Sequence, residues 1–206
     1  MNHHSARLHR QRGAALLVAL CVMLVLLLLG VSAARSAIHA EKSARGERDR
    51  MVALNAAEAA LADAERDIEG GNAPGSARAS LFAHGSAAGF VDGCGAGTAN
   101  LGLCLRAGPG AVPAWQRARL ADAAGERSIE YGRFTGAMLP FGQGTLPARR
   151  PRYIIELMPY ARAGEDAGQR TGNFYRVTAI GFGASDTTRV VLQTYYLKAA
   201  PAGEAQ

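Results

Sequence analysis

From Ala14 to Ala34 the chain reads AALLVALCVMLVLLLLGVSAA, without a charged residue or a proline. At 1.5 Å of rise per residue such a run spans about 30 Å as a helix, the thickness of a bilayer's hydrocarbon core. It is apolar on every face, so a small domain has no place for it. Arg7, Arg10 and Arg12 precede it, and the first thirteen residues contain no acid. By the positive-inside rule that end stays in the cytoplasm and the remainder is exported. A secretory signal has a shorter apolar region, followed by small residues at a cleavage site. This run is longer, although VSAARSA at its end does supply small residues, so cleavage there stays open.

The run does not end at a breaker. It passes into RSAIHAEKSARGERDRMVALNAAEAALADAERDIEGG, and no proline occurs before Pro74. Met51, Leu54, Ala57, Leu61, Ala64 and Ile68 recur at helical spacing and form one apolar stripe. Glu58, Asp63, Glu65 and Asp67 lie largely off that stripe and read as a solvated face. Alanine, the strongest helix former, is abundant, and only Gly46 weakens the pattern. Gly70-Gly71 supplies the stop. Ala14 to about Glu69 is therefore expected to be one near-continuous helix, with an anchor plus a separate soluble helix as the alternative.

The remaining chain has to build a core with little aromatic content, since Phe, Trp and Tyr make up only 6%. One small exported domain with long irregular stretches follows from that. The net charge of +6 is not a nucleic-acid footprint, because Arg7, Arg10 and Arg12 account for half of it. No Lys/Arg block with interleaved aromatics occurs either. Cys21 lies inside the apolar run and reads as an inert small hydrophobe. Cys94 and Cys104 frame the loop CGAGTANLGLC. In an oxidising compartment they would join, and closing so short a ring is worth about 3 kcal/mol. A metal site is the alternative, but two cysteines alone fall short of four ligands.

Catalytic groupings do not emerge. His3, His4 and His9 precede the run, His39 follows it and His84 stands in a loop, with no paired-histidine spacing. Gly93, Gly95 and Gly97 lack the strand-then-helix context of a phosphate loop. Ser185 and Asp186 in FGASDTT suit a tight turn as well as they suit a ligand. No catalytic, cofactor or metal site is expected, and no enzyme.

Strand signals concentrate late. Arg152–Tyr160, Phe174–Gly183 and Thr188–Leu197 are β-branched or aromatic, and Ser128–Phe134 forms a shorter candidate. The last two long strands should pair as a hairpin around Gly183–Thr187. The glycine-rich Gly71–Cys104 reads as loop. The expected fold is α+β: a long N-terminal helix packed on a small antiparallel sheet.

Three stretches carry a family resemblance: RQRGAALLVAL at the start, NAAEAALADAE in the helix and YRVTAIGFGASDTTRVVLQTYY near the end. In that order they resemble the type IV pilin family and, within it, minor pilins of the PilX type. The likeness covers about the first 70 residues and the last 25 or so, not 72–170. It implies a pilin-like fold and a membrane peptidase that cuts between Gly13 and Ala14. Residues 1–13 are then a leader, 14–34 a membrane helix and later a filament core, 35–69 its amphipathic continuation, and 70–206 the exported domain. Pilins typically carry glutamate as the fifth mature residue, paired with a neighbour's N-terminal amine; here that position is Val18. A subunit without this carboxylate suits the tip or an initiating complex.

The resemblance also implies methylation, a single-pass inner-membrane location with a periplasmic C-terminal domain, and residence in the pilus. The implied partners are other minor and major pilins, a prepilin peptidase, inner-membrane assembly proteins, a tip adhesin and the inner membrane, with no nucleic acid. The role is to initiate or cap a type IV pilus. A tip-type pseudopilin of type II secretion and a signal-anchored periplasmic binding module are the alternatives.

Overall fold

The structure, a computed structural model, describes residues 12–83, 86–122, 124–158 and 172–199. Residues 1–11, His84 and the Pro159–Tyr160 end of the expected strand Arg152–Tyr160 lie outside them. Helix α1 spans Arg12–Ile68 as one element, passing through Gly30 and Gly46 without a break. The long helix expected from the sequence is therefore present. The chain divides into two compact units, Met1–Glu47 and Arg48–Gln206. In the first, the described residues are all helix.

In the second unit α1 ends as the glycine pair requires. Gly70 and Gly71 take φ of 115° and 59°, conformations that other residues rarely adopt. The Gly71 N–H donates to Arg66 O at 2.8 Å and the Gly70 N–H to Asp67 O at 3.1 Å. This is the Schellman pattern, which satisfies carbonyls that the helix end would otherwise leave orphaned.

Beyond it lie α2 (Ala77–Ser80), β1 (Leu103–Leu105), α3 (Ala114–Arg117), β2 (Ile129–Glu130), β3 (Arg152–Met158), β4 (Gly172–Phe182) and β5 (Arg189–Ala199). The order across the sheet is β1-β3-β4-β5, with β2 also on β3. β4 and β5 form the expected hairpin, in register from Gly172↔Ala199 to Phe182↔Arg189. Its turn closes through the Gly183 N–H to Thr188 O and the Thr188 N–H to Ser185 O. FGASDTT is thus a turn, and Asp186 in it pairs with Arg149.

The sheet departs from expectation in two ways. The sheet is mixed, because β1 joins β3 in parallel, Leu103↔Ile155 to Leu105↔Leu157. The stretch read as loop up to Cys104 therefore contains α2 and supplies the start of a strand. A three-residue strand among glycines has no periodicity of its own and exists only through its partner. Likewise, Ser128–Phe134 contracts to the two residues of β2, paired antiparallel at Ile129↔Tyr153.

Alternation along the strands sorts the core into two layers. Tyr153, Ile155, Tyr175, Val177 and Ala179 face α1, packing with Ala60, Ala64, Ile68, Phe82 and Leu103. Ile154, Ile180 and Phe182 face the opposite way, against the Cys94–Cys104 bridge, Ala114, Ala118 and Leu120. β3 is buried on both faces from Tyr153 to Glu156, which explains its continuous apolar run.

The stripe of α1 that meets the sheet is rotated from the one expected. Ala53, Ala56, Ala57, Ala60, Ala64 and Ile68 are buried, Leu54 and Leu61 are half-buried, and Met51 is 45% exposed. The reason is distance. A Cβ on Gly181 of β4 would lie closer than 3.0 Å to Ala53 O and Ala57 N, so helix and strand backbones touch. Only alanine-sized side chains fit such a seam.

The acids on this helix also need correction. Glu58 is exposed, but Asp63 and Asp67 are wholly buried, not part of a solvated face. They occupy the next positions of the alanine line, where the interior supplies partners for them.

Candidate functional site

Two regions of the molecule invite a functional reading: the apolar half of α1, and the polar network that locks the other half to its domain. In the first, every residue from Ala14 to Ala34 is exposed. Leu16, Met23 and Leu27 each expose about two-thirds of their area, at 72%, 67% and 70%. The segment is long and apolar enough to cross a membrane, and its apolar stretch is not buried against the rest of the protein. An apolar surface this continuous is covered in the working protein, by lipid or by other helices.

The residues singled out in the sequence fall along this helix as follows. The Gly13–Ala14 bond lies in the first turn of α1, which begins at Arg12. Val18 is 60% exposed among apolar neighbours and carries no charge to any partner. Cys21 is a free, exposed thiol. Arg7 and Arg10, which precede the apolar run, lie outside the described residues.

The other pair of cysteines is joined: Cys94 and Cys104 form a disulfide. The bond pins the 91–95 segment to β1, alongside a bridge between Val91 and Cys104. Cys104 in turn registers with Glu156 of β3. Glu156 is fully buried and held by two bonds from Arg176, at 2.9 and 2.7 Å. Two parallel N–H···O bonds are the geometry that makes a buried carboxylate tolerable.

The network under α1 is larger. Arg78 of α2 donates to Asp67 through Nε at 3.0 Å and through Nη2, and to the carbonyls of Ala99 and Leu101 at 2.9 and 3.0 Å. Its guanidinium also lies 4.2 Å from the Phe134 ring centre. The Tyr153 hydroxyl donates to Asp67 at 3.2 Å. Burial pushes the Asp67 carboxyl above its ordinary range, against the pull of Arg78 and Tyr153. Burial likewise raises the Tyr153 hydroxyl, and the charge of Asp67 adds to it.

Asp63 accepts from the Gly132 N–H at 2.7 Å and from the Thr135 hydroxyl. At the helix end the Tyr196 hydroxyl donates to Glu69 at 2.6 Å, and Lys198 Nζ donates to Ile68 O at 2.6 Å. Sequence reading missed these carboxylates. The available signal was Asp63 and Asp67 at three and seven residues beyond Ala60, on the alanine line itself.

This arrangement positions a helix; it does not assemble reacting groups. Among the described residues, no three His, Cys, Asp or Glu side chains are grouped to hold a metal ion. The buried carboxylates spend their lone pairs on backbone, hydroxyl and guanidinium donors.

Comparison with known proteins bears on the helix and the sheet together. Residues 12–62 match the PilX N-terminal family. Residues 100–198 match the C-terminal region of type IV pilus assembly protein PilX. The chain belongs to the PilX family of type IV pilus assembly proteins. As a PilX-family chain it is a structural, pilus-associated component that acts with other parts of the type IV pilus. The first match covers the apolar run and most of the alanine line. The second begins inside the disulfide loop and takes in all of β1 to β4 and most of β5. No curated protein and no solved structure matches the chain.

Proposed function

We propose that this chain is a minor pilin that helps to initiate or cap a type IV pilus at the inner membrane. The observation that carries the reading is a single helix whose exposed apolar half continues directly into the half that bears the folded domain. A helix of that kind can hold a subunit in lipid and later exchange lipid for neighbouring pilin helices without refolding. Residues 1–13 act as a leader removed between Gly13 and Ala14. Residues 14–34 form the membrane and filament-core helix, 35–69 its continuation, and 70–206 the periplasmic domain. The N-terminus faces the cytoplasm. The five Lys/Arg residues from Arg35 to Arg50 weigh little against this orientation, because a long domain follows them.

Val18 supports a place at the end of the fibre. A carboxylate at this depth would need a cationic partner, and a valine needs none. The subunit therefore makes no demand on a subunit ahead of it. Its partners are other minor and major pilins, a prepilin peptidase, inner-membrane assembly proteins and a tip adhesin. Intact-mass measurement of the membrane-extracted protein tests the reading: an N-terminus at Ala14 is expected, and a chain still beginning at Met1 would refute it.

A further inference from the structure

Directly after the uncharged run, Arg35, His39 and Lys42 follow at i, i+4 and i+7 and so share one face of α1. All three are exposed. Among the described residues none of them has an ion pair or side-chain hydrogen bond. The nearest acid, Glu41, is held by Arg45, and both lie off this face. From Arg35 to Lys42 the helix advances about 10 Å, comparable with the headgroup layer of about 5–8 Å beside each side of the hydrocarbon core. Long basic side chains at a helix exit extend toward that layer.

We propose that the Arg35–His39–Lys42 stripe binds anionic phospholipid headgroups where α1 leaves the hydrocarbon. The inference rests on the membrane-anchored reading given above. Charge complementarity selects the occupant: three adjacent donors, two of them permanently cationic, face a layer of phosphates at the depth where the apolar run ends. Such contacts fix both the depth and the rotation of the helix, and they must break when the subunit leaves the membrane.

The test uses the full chain in vesicles of phosphatidylcholine alone and in vesicles of equal parts phosphatidylcholine and phosphatidylglycerol. Flotation reports insertion. Mass spectrometry of lipids retained after mild detergent extraction reports headgroup preference. Phosphatidylglycerol should be enriched over phosphatidylcholine by about fivefold or more, an effect that falls in high salt. Arg35→Gln with Lys42→Gln should bring the ratio near unity. Arg45→Gln with Arg48→Gln removes the same charge from other faces and should leave the enrichment in place. Equal loss in both double variants, or no enrichment in the wild type, overturns the proposal. Failure to float with either vesicle overturns the membrane reading along with it, whereas flotation without enrichment overturns this inference alone.

Discussion

Replacing Gly181 with alanine tests whether the helix–sheet seam is as tight as its geometry indicates. The added Cβ falls within 3.0 Å of Ala53 O and Ala57 N, and 3.0 Å from Ala57 Cβ. Carbon–oxygen contacts normally stand at about 3.3–3.6 Å, so α1 must retreat by about 1 Å or more to restore one at Ala53 O. A gap of about 0.5–1 Å already forfeits a quarter to a half of the dispersion well along the whole alanine line. Overpacking of this kind costs about 1–3 kcal/mol, and the upper end applies because the obstructing atoms are backbone. Alanine also narrows the unfolded ensemble, which offsets about 0.4–1 kcal/mol. The net loss is about 2 kcal/mol, a fall in melting temperature of about 4–8 °C for a domain of this size.

Thermal unfolding of the full chain in detergent, followed by fluorescence of the single tryptophan, Trp115, reads this out. Gly108, where an added Cβ meets nothing, provides the control and should be neutral as alanine. Ala57→Gly should not rescue Gly181→Ala, since it trims a side chain and leaves the backbone in place. A melting temperature within about 1 °C of wild type would show that the seam is not a backbone contact.

Other consequences follow from the buried polar groups and the bridge. Arg78→Met strands the Asp67 carboxylate in the interior and should cost about 3–5 kcal/mol in denaturant titration. The folded Asp67 carboxyl binds its proton more readily than the unfolded one, whose ordinary value is 3.8. Its contribution to stability is therefore greatest below that value and declines as pH rises through the raised one; Asp67→Asn should remove this slope from a plot of stability against pH. Tyr196, pushed up to about 12 by its bond to Glu69, contributes stability that is full below about 10 and lost as pH rises toward 12, so Tyr196→Phe should lessen the alkaline loss. Reducing Cys94–Cys104 should cost about 3 kcal/mol, measured as a shift in denaturation midpoint with and without reductant.

Legibility varied with the range of the forces involved. The hairpin of β4 and β5 was readable because alternation and a polar turn lie within one stretch of chain. The Gly70-Gly71 stop was readable for the same reason, as left-handed backbone at a helix end favours glycine. β1 was not readable: Leu103–Leu105 becomes a strand only because β3, far along the chain, lies beside it. Asp63 and Asp67 were misassigned because charge alone predicts exposure, whereas Arg78, Tyr153, Gly132 and Thr135 arrive from distant segments to satisfy them.

What this sequence determines by itself is the long helix, its apolar half and the charge asymmetry at its start. Those depend on composition and 3.6-residue periodicity, which are local. The tertiary structure alone decided which face of the continuing helix is buried. Hydrophobicity favoured the line through Met51, Leu54 and Leu61, but Gly181 lets β4 approach so closely that only alanines fit. Steric fit between two backbones outranks the apolar area of larger side chains there, and no property of either segment taken alone carries that information.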